Sequence, residues 1–112
     1  MANTFKSYTE DGIGTSEATA YTVPPETVAV VIGCNIANVT GDQITVDVKL
    51  DKAGGQDDAW IIKNIPIPNG SAYEFNAGNK IVMQTGDALK ITSNVASSAD
   101  VIVSVLEQTW GN

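Results

Sequence analysis

Histidine and arginine are absent from this 112-residue chain, and all six basic residues are lysines. Without histidine there is no Ser-His-Asp triad, no Cys-His pair and no imidazole to hold a metal. Without arginine there is no bidentate clamp for phosphate and no arginine finger. Cysteine is reduced to Cys34, so no internal disulfide can form, which suits a protein made in a reducing cytoplasm. The longest apolar run, Val28 to Ile32, falls far short of the ~20 residues of a membrane span. The opening Met1-Ala2-Asn3-Thr4-Phe5-Lys6 has no charged-then-apolar signal-peptide pattern. Positive charge is scarce: Lys+Arg 6 against Asp+Glu 13 gives a net charge of -7. Only Lys49 and Lys52 come near each other in sequence, with Asp51 between them. That balance repels nucleic acid and anionic membrane, so neither is expected as a partner.

What is present is β-structure. The length fits one domain, and 43% hydrophobic with 17% charged is too apolar for a disordered chain. Gln43 to Asp51 alternates cleanly, with Ile44, Val46, Val48 and Leu50 on one side and Thr45, Asp47, Lys49 and Asp51 on the other. That pattern is a strand with one buried and one wet face. Thr27 to Val39 is rich in β-branched residues. A single phase puts Val28, Val30, Ile32, Cys34 and Ile36 on one side, and the smaller Ala29, Val31, Gly33, Asn35 and Ala37 on the other. Cys34 is read there as a small core hydrophobe, since no cation lies near in sequence to activate it.

Turn residues divide the rest. Thr40-Gly41-Asp42 and Thr85-Gly86-Asp87 repeat one tripeptide, in which Gly would supply a positive φ for a tight hairpin and Asp would bond nearby amides. Asn69-Gly70 and Gly78-Asn79 are further turn signals, Pro66 and Pro68 mark an edge or extended connection, and Asp51 to Asp58 reads as a mobile surface loop. Candidate strands are Ala20–Val23, Thr27–Val39, Gln43–Asp51, Ala59–Asn64, Ala72–Phe75, Lys80–Gln84, Ala88–Asn94 and Asp100–Thr109. They predict an all-β, antiparallel two-sheet β-sandwich over residues 20–112, in jelly-roll or immunoglobulin-like order, preceded by an extended N-terminal arm over residues 1–19.

Two regions suit a solitary sandwich less well. The arm is polar but carries Phe5, Tyr8 and Ile13, which would serve as anchors on a neighbouring subunit or as cover for the last strand of the same chain. In that last strand Val101, Val103 and Val105 form one face, while Ile102 and Leu106 lie on the other and Trp110 follows. Apolar residues on both faces imply cover on both. Phe5, Tyr8, Ile13, Ile102, Leu106 and Trp110 are therefore the candidate interface residues.

Candidate chemistry is thin. Asp42, Asp51, Asp57, Asp58 and Asp87 are the best residues for a hard cation, yet the loop lacks EF-hand spacing and Lys52 intrudes, so it reads as solvated. A carboxylate pair for glycoside hydrolysis cannot be recognised from spacing in a sandwich. Ser104 with Lys90 makes a dyad by residue type only. Trp60, Tyr73 and Phe75 could offer aromatic faces to a sugar, although strand positions favour packing. Asn38-Val39-Thr40 and Asn69-Gly70-Ser71 match the glycosylation pattern as turn residues. No catalytic, metal or cofactor-binding residue is assigned, and no enzyme activity is expected.

Several runs carry a resemblance. They are Gly12-Ile13-Gly14-Thr15-Ser16, Ala20-Tyr21-Thr22-Val23-Pro24, Val31-Ile32-Gly33-Cys34-Asn35-Ile36-Ala37-Asn38-Val39-Thr40-Gly41, Ile44-Thr45-Val46-Asp47-Val48 and Ser97 to Glu107. Together with the N-terminal Met1 to Lys6 they resemble small virion structural proteins of tailed bacteriophages, and the resemblance covers nearly the whole chain. Pro25-Glu26 and Cys34 depart from it, where small polar and bulkier aliphatic residues would be expected. The resemblance implies a virion component present in many copies and made in the host cytoplasm, most simply a capsid cement or decoration protein. A neck or tail accessory protein is the alternative within that family. Its partners would be further copies of itself, as a homo-oligomer, and other virion proteins such as the major capsid protein. From the residues alone, a carbohydrate-binding module on a receptor-binding fibre, using Trp60 and Tyr73, is the contrasting expectation.

Overall fold

A computed structural model describes residues 2–75 and 80–110. Met1 and the Gly78-Asn79 turn signal lie outside them. The strands are β1 (Ala2–Ile13), β2 (Ala18–Thr22), β3 (Thr27–Asn38), β4 (Ile44–Asp51), β5 (Ala59–Ile67), β6 (Ala72–Phe75), β7 (Ile81–Met83), β8 (Ala88–Ser93) and β9 (Ala99–Thr109). They form two antiparallel sheets. One, sheet A, runs β1-β9-β3 and then β6 and β7, which both pair with β3; the other, sheet B, runs β2-β8-β4-β5.

The order follows from nested pairing. β4 pairs with β5, β3 with β6 and β7, β2 with β8 and β1 with β9, as in one long hairpin rolled into two layers. With β6 and β7 taken as halves of one strand, this is the eight-strand jelly-roll order, which decides between the two topologies left open by the pattern.

Between the sheets, inward positions are filled by Val31, Ile36, Ile44, Val46, Val48, Ile67, Met83, Leu89, Ile91, Val101 and Val103, all fully buried. Each such side chain contributes about 1.5–3 kcal/mol by leaving water, which suffices for a single domain without cross-links.

Four sequence expectations change. The N-terminal segment does not extend away from the sandwich. Ala2–Ile13 is edge strand β1, laddered onto β9 from Ala2↔Thr109 to Ile13↔Ala99. A register shift after Glu10, with Gly12 at φ 66, turns Ile13 into the core. The expected arm boundary at residue 19 falls inside β2.

The second change lies in β3. A bulge between Val31 and Gly33 breaks the single-phase alternation. Ala29, Val31, Cys34 and Ile36 all point inward, while Val28 and Val30 are half-buried on the outer surface.

Third, the two Thr-Gly-Asp tripeptides join strands of different sheets, β3 to β4 and β7 to β8, and are not tight hairpins. Gly86 has φ 87, as expected, but Gly41 needs no positive φ. Around Gly41 the corner is shaped by Asn38, whose Nδ2 donates to the carbonyls of Ile67 and Asp42. Asn38 is thus a buried structural amide within its glycosylation-like tripeptide.

Fourth, the loop after β4 is pinned at its base. Lys52 Nζ lies 2.6 Å from Asp87 Oδ2 and the Ala53 amide donates to Asp87 Oδ1.

Candidate functional site

The sequence-predicted interface residues divide between the two surfaces of sheet A. Tyr8 and Ile13 face inward and belong to the protein's own core or its margin. Phe5, Ile102 and Leu106 lie on the outward surface, and alternation carries Trp110, just past β9, onto the same side. Beside β9, β1 runs in the plane of the sheet, so it pairs with the last strand without covering its outer face.

Cross-strand register makes these residues a continuous feature. Phe5 is opposite Leu106, Leu106 is opposite Val30, and Val30 is opposite Val82 on β7. An apolar ridge therefore crosses four strands. Its ends are open to solvent, Phe5 at 75% and Val82 at 57% exposure, with Ile102 (44%) and Trp110 (49%) on the same surface. Two residues along the strands, Ser7 is opposite Ser104 and Ser104 is opposite Gly33, giving small side chains beside the ridge on β1 and β9, while on β3 the bulge sets half-buried Ile32 on this face next to Gly33. Beyond these rows come Asn3 and Gln108 at one end and Thr9, Ile102 and Asn35 at the other. The ridge and the serine row carry no charged side chain across β1, β9 and β3, whereas the Thr9–Ile102–Asn35 row continues to Glu74 on β6, and Asp100 lies on the same face two residues along β9.

Beneath this surface lies a carboxylate the alternation places in the core. Glu107 continues the inward series Val101, Val103, Val105 and is almost fully buried. Tyr21 Oη donates to its Oε2 at 2.6 Å, Tyr8 Oη donates to the same oxygen at 2.8 Å, and Lys6 Nζ lies 3.3 Å from Oε1. Burial alone would raise the Glu107 carboxyl; the hydrogen bonds and the Lys6 charge outweigh it and hold the group below its ordinary value. Burial, helped by hydrogen bonding to Glu107, pushes the Tyr8 phenol up to about 12 and the Tyr21 phenol higher still. The rings of Tyr8 and Tyr21 lie 4.6 Å apart, so the cluster joins β1 of sheet A to β2 of sheet B. Glu107 was not singled out from sequence, although its place in the inward series of β9 was readable.

The other candidates are dispersed. Trp60 stands on the outer surface of sheet B beside Lys63 (4.0 Å to the ring centroid) and Lys49 (5.6 Å), whereas Tyr73 is on sheet A and packs against the core. They make no common sugar platform, and the side chain of Phe75 lies outside the description. Ser104 and Lys90 are on outer surfaces of opposite sheets, with Lys90 Nζ donating to Thr19. Asp87 is buried and engaged by Lys52, Ala53 and Gln84. Against the upward push of burial, those contacts hold its carboxyl below the ordinary value. Among the described residues no three acids or cysteines come together as a metal-holding group. Cys34 is buried, and burial pushes its thiol up to about 12.

No family model matches the chain, and no curated protein matches it. Among solved structures, the chain is similar to a protein of Bacillus endospore appendages, described as forming a novel family of disulfide-linked pili. The match has a TM-score of 0.59 at 15% identity and covers 97% of this chain and 89% of that one. The likeness is one of fold. Both chains are β proteins of nearly the same extent.

Proposed function

We propose that this chain is a non-enzymatic structural protein that acts in many copies through the contacts it makes. The observation that carries the reading is the apolar ridge and the uncharged serine row at the centre of the outer face of sheet A, on a chain otherwise dominated by acidic charge. An exposed apolar patch of this kind on a small soluble domain marks a docking surface. A neighbour of similar fold, from endospore appendages described as pili, supports the same class of role.

Within that class we place the chain in a tailed-bacteriophage virion, as a capsid decoration protein or, failing that, a neck or tail accessory protein. The resemblance of its strand-and-turn segments supports this, as does an acidic surface suited to a basic patch on a larger capsid subunit. The likeness to the endospore protein favours a second reading, a subunit of a surface filament. Disulfide linkage would not carry over, because the lone cysteine is in the core.

Immunogold labelling and mass spectrometry of phage particles and of surface filaments from producing cells separate these readings. Label on virions supports the first and label on filaments supports the second. A protein found in neither, free in the lysate, overturns both.

A further inference from the structure

On β1 and β9 the ridge and the serine row beside it are complementary to each other, and they lie on the same surface. We infer that the outer face of sheet A is self-complementary and receives a second copy of this chain, face to face, about a two-fold axis. This rests on the assembly reading above and names the partner of that surface.

The geometry follows from the pleat. Alternate residues on one face of a strand are about 6.6 Å apart, so the ridge and the small-residue row run parallel at that spacing. A two-fold axis lying in the interface, across the strands and midway between the rows, maps each row onto the other. Leu106 then lies over Ser104 of the partner subunit, and Phe5 over Ser7 of the partner subunit. Val30 falls over the bulge, against Ile32 of the partner subunit and Gly33 of the partner subunit. The same rotation places the Asn3–Gln108 row against the Thr9–Ile102 row, so the outer contacts are mostly polar, with Glu74 at the rim beyond Asn35. Such an arrangement, with an apolar centre inside a polar rim, is the usual anatomy of a specific interface.

Charge and area favour this occupant. A basic partner would be drawn to the acidic parts of the chain, Glu74 and Asp100 at one end of this face included, whereas its central rows carry no charge and match a surface that is also uncharged. Four strands, over the eight or so residues of β1 that face β9 there, present about 500 Å² per copy and about 1,000 Å² for the pair, the lower bound for a specific interface. A contact of that size is modest alone and adds up across an assembly of many copies.

The test uses the full chain and two outward substitutions, Leu106→Lys and Ser104→Glu, with folding checked by thermal melting. Sedimentation velocity over a concentration series should show wild-type dimers. Each variant alone should dimerise about 100-fold more weakly, because a charge is buried without a partner. Mixed one to one they should recover most of the wild-type affinity, since the axis sets the new lysine of one copy against the new glutamate of the other while the second Leu106–Ser104 contact stays native. Recovery on mixing requires position 106 of one copy to meet position 104 of the other, as this register has it. Wild-type protein that stays monomeric at all concentrations overturns the inference. So does dimerisation untouched by either variant, which leaves the assembly reading standing on a different surface. Failure of the mixture to recover, together with loss of another particle protein from both variants, assigns the face to that protein instead.

Discussion

The outer surfaces of the two sheets are built on the same pleat and present opposite chemistry. Sheet B turns out Lys49, Lys90, Asp47, Trp60 and Lys63. Its charges answer one another: Lys49 pairs with Glu17 at 3.0 Å, Lys63 with Asp47 at 3.4 Å, and both lysines flank the indole of Trp60. Sheet A turns out Phe5, Leu106, Val30 and Val82 with serines beside them, and its outward charges, Glu74 and Asp100, stand towards one end. Water satisfies the first surface, and a long side chain there can cover its neighbours. The second is left with apolar area that only another surface can bury. One sandwich thus has a solvated side and a docking side, and the difference is set by side chains alone.

That contrast can be broken most severely by moving charge onto the docking side. Leu106→Lys is expected to weaken self-association about 100-fold, while Thr92→Lys, at an outward position on sheet B, should leave it unchanged; light scattering across a dilution series reads both. Turning to the inner surface of the same strand sharpens the point. Glu107→Ala orphans the buried Tyr21 hydroxyl and should cost about 1–3 kcal/mol in urea unfolding, without altering which face associates.

The pH profile of unfolding follows from the same cluster. Glu107 and Asp87 have carboxyls held below their ordinary values in the folded state. Their stabilisation is therefore full above those ordinary values and is lost as pH falls through the lowered ones. Tyr8 and Tyr21 are raised, so their stabilisation is full below the ordinary phenol value of 10 and fades as pH climbs towards about 12. Denaturant midpoints should thus stay level through the neutral range and fall at both ends, with Glu107→Gln blunting the acid limb. The smallest effect belongs to sheet B: Lys63→Ala should cost about 0.5–1 kcal/mol or less, since its ring contact and ion pair are exposed and screened by salt.

Most strands were legible because alternation survives in them: Ile44 to Leu50 faces inward just as the pattern requires, and Cys34 sits in the core. β1 was not legible. Its inward residues Thr4, Lys6 and Tyr8 and its outward Asn3, Phe5 and Ser7 mix polarity on both sides, as a thin edge strand can afford to do. The bulge at Ile32 hid more. One extra residue moved Val28 and Val30 to the outside, and no periodicity in the sequence announces where the phase slips. Phe5, Ile102, Leu106 and Trp110 were visible as apolar residues without a place. That Phe5 and Leu106 share one ridge with Val30 and Val82 depends on nested pairing between strands far apart in sequence.

The central claim is that this protein works by contact through the outer face of sheet A. A cryo-electron microscopy map of the purified assembly containing it tests this most directly. Density from another subunit should be seated along Phe5, Leu106, Val30 and Val82, with Trp60 and the lysines of sheet B facing solvent. A map in which the sheet B surface is covered and the Phe5–Val82 ridge stands bare would contradict it.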